Sequence, residues 1–215
     1  MIAAADGNKT FIDVLVTEIG PIGWILWLLS VVTVAVIIMY LISIRRGTIL
    51  PDLLRQQVQG MFENRQYREV IDLTATQPDF FSHVLHAALG EAPHGYAAME
   101  RAMEEAAEER TTKLLRNIEW LNLIGNVSPM LGLLGTVAGM IGAFLTILAK
   151  GGQPEPADFA GDIGIALGTT LLGLAIAIPA LSVYSFMRNR IDALSSETVL
   201  VAQSMISAFR PGRKG

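Results

Sequence analysis

The sequence predicts an all-α integral membrane protein with three transmembrane helices and long helices that extend into the cytoplasm. Three observations carry that prediction. Charged residues are absent from positions 19–44, 120–149 and 163–187. Each window exceeds the roughly 20 apolar residues a helix needs to cross a bilayer. Of the 215 residues, 52% are apolar and 17% charged, whereas ordinary globular chains carry about 25% charged residues. No stretch alternates apolar and polar side chains as a half-buried strand does, and helical spacing recurs between the windows.

Residues 1–19 hold one Lys against Asp6, Asp13 and Glu18. They lack the basic region and apolar run of a signal peptide and are expected to lie outside. The first span, 20–44, is the most lipid-like. It is rich in Leu, Ile and Val, with Trp24, Trp27 and Tyr40 toward its ends, where amphipathic rings favour the headgroup region.

Arg45 and Arg46 follow that span, and Arg188, Arg190, Arg210, Arg213 and Lys214 follow the third. The loop at 150–161, by contrast, has one Lys against Glu155 and Asp158, with Asp162 just beyond. The positive-inside rule puts the N-terminus and that loop in the periplasm and the C-terminus in the cytoplasm.

Residues 45–122 are then cytoplasmic and helical. A helix is expected over 53–66. Gln77, Pro78 and Asp79 form a turn, with Asp79 as cap of the next helix. From Gly95 onward Met99, Met103, Ala107, Leu114, Ile118 and Leu121 recur at helical spacing, with Glu100, Glu104, Glu105, Glu108 and Glu109 between them. No strong terminator precedes Pro129, so this helix is expected to continue straight into the second span, 123–149. The third span, 162–187, leads to a cytoplasmic tail, 188–215.

The second and third spans are rich in Gly, Ala and Thr. Small residues recur four apart at Gly132/Thr136, Gly135/Gly139, Gly164/Gly168, Ala166/Thr170 and Thr169/Gly173, a spacing that lets helix backbones approach closely in lipid. Two readings stand: packing within one subunit, and contact with other subunits. Pro129 and Pro179 each remove a helix hydrogen bond and favour a kink. Such a kink either shapes packing alone or shapes a pore.

Several classes of chemistry are excluded. The absence of cysteine removes disulfides, thiolate metal sites and Cys nucleophiles. The net charge of −4 without a basic stripe does not suit nucleic acid. His83, His86 and His94 carry no metalloprotease spacing, so a solvated helix face is expected and neither a metal nor a cofactor. No enzyme motif is present. The spans contain no Asp, Glu, Lys, Arg or His in their interiors, whereas an ion path through a membrane normally shows such a group. What they offer is hydroxyls: Ser128, Thr136, Thr146, Thr169, Thr170 and Ser182. A hydroxyl can meet a partner carboxyl in either protonation state, although a helical Thr often bonds only the carbonyl four residues back.

The stretches NVSPMLGLLGTVAGM (126–140) and GIALGTTLLGLAIAIPA (164–180) resemble the second- and third-span signatures of the MotA/TolQ/ExbB proton-channel family. The order of spans, the short outer loop and the cytoplasmic insert resemble its ExbB/TolQ branch. The resemblance implies a stator-like subunit of a bacterial inner-membrane, energy-transducing motor that turns a proton gradient into mechanical work. It implies a homo-oligomer, a pentamer, whose pore holds a dimer of ExbD/TolR-like single-span subunits carrying the titrating Asp, with a TonB- or TolA-like effector beyond. Thr136 and Thr170 match the family's pore threonines, and Thr169 adds a hydroxyl. Many ExbB and TolQ proteins carry Glu where this chain has Ile165. Asp162, near the face of Thr169, is a candidate for gathering cations at the pore mouth. An ion-silent envelope scaffold and a sodium-driven stator are the rival readings.

Overall fold

A computed structural model describes residues 20–151 and 155–210, apart from the side chains at 156–158. The N-terminal segment 1–19 and the tail cations Arg213 and Lys214 lie outside the described residues. The chain is helical: α1 (Gly20–Ser43), α2 (Arg46–Ile49), α3 (Asp52–Glu63), α4 (Tyr67–Thr76), α5 (Phe80–Gly90), α6 (Tyr96–Ala149) and α7 (Pro156–Ile206). Short 3-10 turns stand at Ala92–His94 and Ser207–Phe209. Among the described residues there is no strand. Three of the helices, α1, α6 and α7, are long and apolar enough to cross a membrane. The helix expected from Gly95 onward begins at Tyr96 and runs without interruption through Pro129 into the span. Helix α7 likewise passes through Pro179 and continues beyond 187, so residues 188–206 are helix.

The chain divides into two compact units. One comprises residues 20–38 with Trp120–Tyr184. Its small core is Leu26, Ile124, Ile176 and Ala180, flanked by Ile22, Leu29, Leu131 and Leu172. Around it Trp24, Leu28, Val31, Met130, Leu133, Phe144, Leu148, Leu167 and Ile178 point outward, each more than half exposed. Apolar surface that extensive is a solvent mismatch in water and a match in hydrocarbon. The protein is a membrane protein.

The other unit comprises Met39–Glu119 with residues 185–210. Its interior is a conventional core that includes Leu50, Val58, Phe81, Leu85, Met99, Met103, Ile118, Met187, Ile191 and Ile206, all within 1% of full burial. The expected stripe on α6 therefore faces inward at Met99, Met103, Ala107 and Ile118. Asp79 caps α5 as expected: its carboxylate accepts from Ser82 N at 2.9 Å and Ser82 Oγ at 2.8 Å, which satisfies an orphan amide at the helix start.

The helix expected over 53–66 stops earlier, at Glu63. Arg65 takes a left-handed conformation with φ 59°. Arg65 N–H donates to Phe62 O at 3.1 Å and Gln66 N–H to Met61 O at 2.9 Å. These two bonds are a Schellman cap, formed here without the glycine that normally announces one. The turn lets Phe62 meet Tyr67 edge-on at 5.7 Å, and Phe209 closes the aromatic cluster at 4.9 Å from Tyr67. Polar ties complete the unit: Tyr40 OH donates to Asn117 O, Arg46 pairs with Glu197 at 2.7 Å, and Gln203 donates to Glu100 at 2.9 Å.

Two of the three histidines depart from a fully solvated face, whereas His94 is exposed. His83 and His86 are half-buried, and His86 Nδ1 lies 3.3 Å from Thr74 Oγ1. Burial, and then the Arg110 guanidinium, hold His83 below its ordinary pKa of 6.5. The fold therefore prefers neutral His83. Above that value the shift has no effect on stability. As pH falls through it, the unfolded chain takes up a proton that the folded chain resists, so stability declines. Chemical denaturation in mild detergent is expected to show a midpoint that drops as pH is lowered from 7 through 6, with a flatter profile for His83→Gln.

Candidate functional site

Helices α6 and α7 pack antiparallel within the apolar unit, and glycine sets how closely. A Cβ at Gly132 would stand 3.0 Å from both Thr169 O and Thr170 Cα. One at Gly173 would stand 2.6 Å from Ser128 O and 3.2 Å from Gly132 Cα. One at Gly139 would stand 2.6 Å from Ala166 Cβ and 3.0 Å from Asp162 O. Most of these neighbours are backbone atoms of an intact helix, so they cannot swing aside. The seam runs from Gly125 against Leu181, through Gly132 against Thr170 and Gly173, to Gly142 against Asp162. By contrast, a Cβ at Gly161, Gly164 or Gly168 would meet nothing within 4 Å. One set of small residues thus packs within the subunit, and another meets no atom of it.

Three threonines converge at the middle of this seam. Thr136 and Thr170 are half-buried and Thr169 is buried. Thr170 Oγ1 lies 3.1 Å from Gly132 O. Thr136 Oγ1 lies 3.2 Å from Gly132 O and 3.1 Å from Ala166 O, and it bonds Thr170 Oγ1. Thr169 Oγ1 reaches Ala166 O at 2.7 Å and Gly132 O at 3.2 Å. Because each hydroxyl has a single proton, the pair has two consistent arrangements. In one, Thr170 donates to Thr136, which donates to Ala166 O or Gly132 O. In the other, Thr136 donates to Thr170, which donates to Gly132 O. The two differ only in the sense of the chain. The threonines can be found from the sequence, but the carbonyls of Gly132 and Ala166 that anchor them cannot, since no side chain marks them.

Asp162 sits farther along the same seam. It is half-buried, and Thr146 Oγ1 donates to its Oδ2 at 3.1 Å. Gly142 faces the carboxyl group, where a Cβ would lie 3.8 Å from Cγ. Ser128, fully buried, donates to Ile124 O of its own helix at 2.6 Å. Ser182 is exposed. Pro129 and Pro179 cannot donate to the carbonyls of Gly125 and Ala175, yet both helices continue past them. Among the described residues no group of three His, Asp or Glu could hold a metal ion.

The sequence profile of the MotA/TolQ/ExbB proton channel family matches residues 74–199. The chain belongs to this family. Among curated relatives, it is 39% identical over 111 residues to a putative biopolymer transport protein ExbB homolog of Methanothermobacter thermautotrophicus, covering 52% of this chain and 39% of that one. It is 32% identical over 126 residues to the biopolymer transport protein ExbB of Xanthomonas campestris pv. campestris, covering 59% and 49%. With the Helicobacter pylori protein of the same name the figures are 37% over 84 residues, 39% and 57%. The matches thus span about two-fifths to three-fifths of these relatives' own lengths. Their names point to the ExbB branch of the MotA/TolQ/ExbB family.

The family match encloses both signature stretches and with them the whole threonine cluster. Against the branch pattern stated above, the departure at Ile165 falls beside Ala166, whose carbonyl anchors Thr136. Ile165 is half-buried and brings no carboxylate to the cluster.

Proposed function

We propose that this chain is the stator-like channel subunit of a proton-driven motor in a bacterial inner membrane, with the N-terminus periplasmic and the C-terminus cytoplasmic. One observation carries the reading. A hydroxyl pair at the centre of a membrane-spanning seam can reverse its hydrogen-bond sense, in spans without a titrating group at that level. A carboxyl group brought alongside it can be met as acceptor when ionised and as donor when protonated. The chain is complete as a channel only when a second polypeptide supplies that acid. An ExbD/TolR-like single-span subunit, held as a dimer in a pentamer of this chain, fits the requirement, with a TonB- or TolA-like effector receiving the work. The names of the relatives and the family description support the reading.

Proton flux measured in liposomes is the test. Flux is expected only when this chain and the partner are both present, and none with either alone. Flux from this chain alone would refute the need for an outside acid. Asp162 is assigned to the periplasmic mouth, where its carboxylate raises the local cation concentration. Asp162→Asn is expected to lower flux severalfold at low ionic strength and less at high salt. Unchanged flux at low salt removes that role.

The satisfied hydrogen bonds of the cluster also favour a second reading, an ion-silent scaffold in which the same hydroxyls only lock the two helices together. Absence of flux from a fully assembled complex under a proton gradient selects it. Flux that follows a Na⁺ gradient and ignores pH selects the sodium-driven alternative.

A further inference from the structure

In the second unit a groove of about 620 Å³ opens between α6 and α7. Glu108 and Thr111 of α6 form one wall, and Asp192, Ser195, Val199 and Leu200 of α7 form the other. Gln203 Nε2 donates to Glu100 Oε1 at 2.9 Å, which fixes the antiparallel register of the two helices in this unit. Eight residues on along α6 is Glu108, and eight residues back along α7 is Ser195, so the two stand level. At 1.5 Å per residue, Asp192 lies about 4.5 Å to one side of that level and Leu200 about 7.5 Å to the other.

Three features of this groove are unexplained by the chain alone. Ser195 is 6% exposed, and its Oγ is buried without a hydrogen-bond partner. Neighbouring hydroxyls show the usual alternative: Thr111 donates to Ala107 O and Thr198 to Leu194 O, each at 2.7 Å and four residues back. A buried hydroxyl left without a partner destabilises the fold that holds it. Glu108 and Asp192 are exposed. Among the described residues neither carboxylate is in an ion pair, and no Lys, Arg or His lines the groove. Leu200, beyond them, is 65% exposed.

Two unpaired carboxylates beside an unserved hydroxyl suit a cation with several donors. A metal ion is a poor match, since among the described residues no group of three His, Asp or Glu could hold one. A guanidinium matches. Its five N–H donors lie in one plane and can serve two carboxylates and a hydroxyl together. The apolar surface of Val199 and Leu200, one to two turns along α7, then suits an apolar residue close to that arginine. Basic and apolar side chains in such proximity belong to a polypeptide. The positive-inside rule enriches the cytoplasmic flank of a single span in Lys and Arg, directly beside the apolar residues of the span.

The geometry points to this groove as the docking site for the basic cytoplasmic flank of the single-span subunit. An arginine of that flank lies between Glu108 and Asp192 and donates to Ser195 Oγ, and an apolar residue beside it covers Val199 and Leu200. The contact anchors the cytoplasmic end of the partner to this chain. The identity of the partner rests on the proposed function, whereas the demand for a basic segment rests on the groove alone.

The test uses the full chain co-produced with the single-span subunit and purified in mild detergent. Ser196, exposed and on the rim of the groove, is replaced by the photo-crosslinking residue p-benzoylphenylalanine. Illumination is expected to link it to the cytoplasmic flank of the partner, as mapped by mass spectrometry. A link to a second copy of this chain instead, or no link at all, overturns the proposal. In a second arm, Glu108→Gln combined with Asp192→Asn is expected to lower retention of the partner at low salt about fivefold. Asp72→Asn, an exposed acid outside the groove, is expected to leave it unchanged. Equal loss in both would mean that bulk charge, not the groove, attracts the partner. Proton flux read on the same complex separates this contact from the channel reading. A linked complex without flux supports the contact and refutes the channel, and flux without a link to the flank refutes the contact alone.

Discussion

Thr170→Ala and Thr136→Ala are each expected to cut proton flux, and the work it drives, by about 2- to 10-fold while leaving the complex assembled. The magnitude follows from what each hydroxyl holds. Removing Thr170 Oγ1 deprives Gly132 O of a donor at 3.1 Å and Thr136 of its partner. Gly132 O keeps Thr136 and Thr169 as donors, so what is lost is one net hydrogen bond, about 0.5–1.5 kcal/mol, and each 1.4 kcal/mol is tenfold in rate. With one hydroxyl gone, the other is held in a single sense, toward a carbonyl of its own pair of helices. The relay can then no longer face both protonation states of a partner acid. Thr170→Ser restores a hydroxyl and is expected to recover most of the flux. The readout is flux in liposomes beside size-exclusion and co-purification of the partner. Loss of the complex in Thr136→Ala and Thr170→Ala, with flux per assembled particle unchanged, would make these packing residues.

Thr169 is expected to behave differently. It is buried, and its hydroxyl reaches Ala166 O at 2.7 Å on its own helix, the ordinary habit of a helical threonine. Its bond to Gly132 O is the longer one, at 3.2 Å. The sequence places Thr169 and Thr170 side by side with nothing to separate them. A helical step of 100° turns one into the seam and the other to its edge.

That contrast is typical of what could be read in advance. Charge-free windows locate the three spans because lipid tolerates no unpaired charge, a constraint that acts on composition and needs no tertiary contact. Asp79 is legible as a cap because its chemistry is local. The end of α3 is illegible for the opposite reason. Arg65 adopts the left-handed conformation that glycine usually signals, and the payoff lies in the packing of Phe62 and Tyr67 against Phe209, which is far away in the chain. The half-burial of His83 and His86 has the same origin, since Thr74 and Arg110 come from other helices. Around the site, the small residues could be found but not sorted. Gly132, Gly139 and Gly173 face a helix of the same chain, and Gly161 and Gly164 face open space. Register between two helices decides that, and a repeat of four is common to both sets.

Gly173→Ala is the sharpest probe of that register. In an isolated helix alanine is favoured over glycine by about 0.8–1 kcal/mol, so propensity alone predicts stabilisation at every helical glycine in the spans. At Gly173 the new Cβ would lie 2.6 Å from Ser128 O and 3.2 Å from Gly132 Cα. Neither atom can move without displacing the backbone of α6, and overpacking of that kind costs about 1–3 kcal/mol. The steric term wins, and the displaced backbone includes Gly132, whose carbonyl anchors the three threonines. Gly173→Ala is therefore expected to lower the thermal midpoint of the purified protein in detergent and to impair flux with both threonines intact. Gly164→Ala, which meets nothing within 4 Å, is expected to leave the midpoint unchanged or raise it, because there propensity acts unopposed. If Gly173→Ala and Gly164→Ala shift the midpoint equally, the close approach of α6 and α7 is not what holds the cluster, and the relay loses its structural basis.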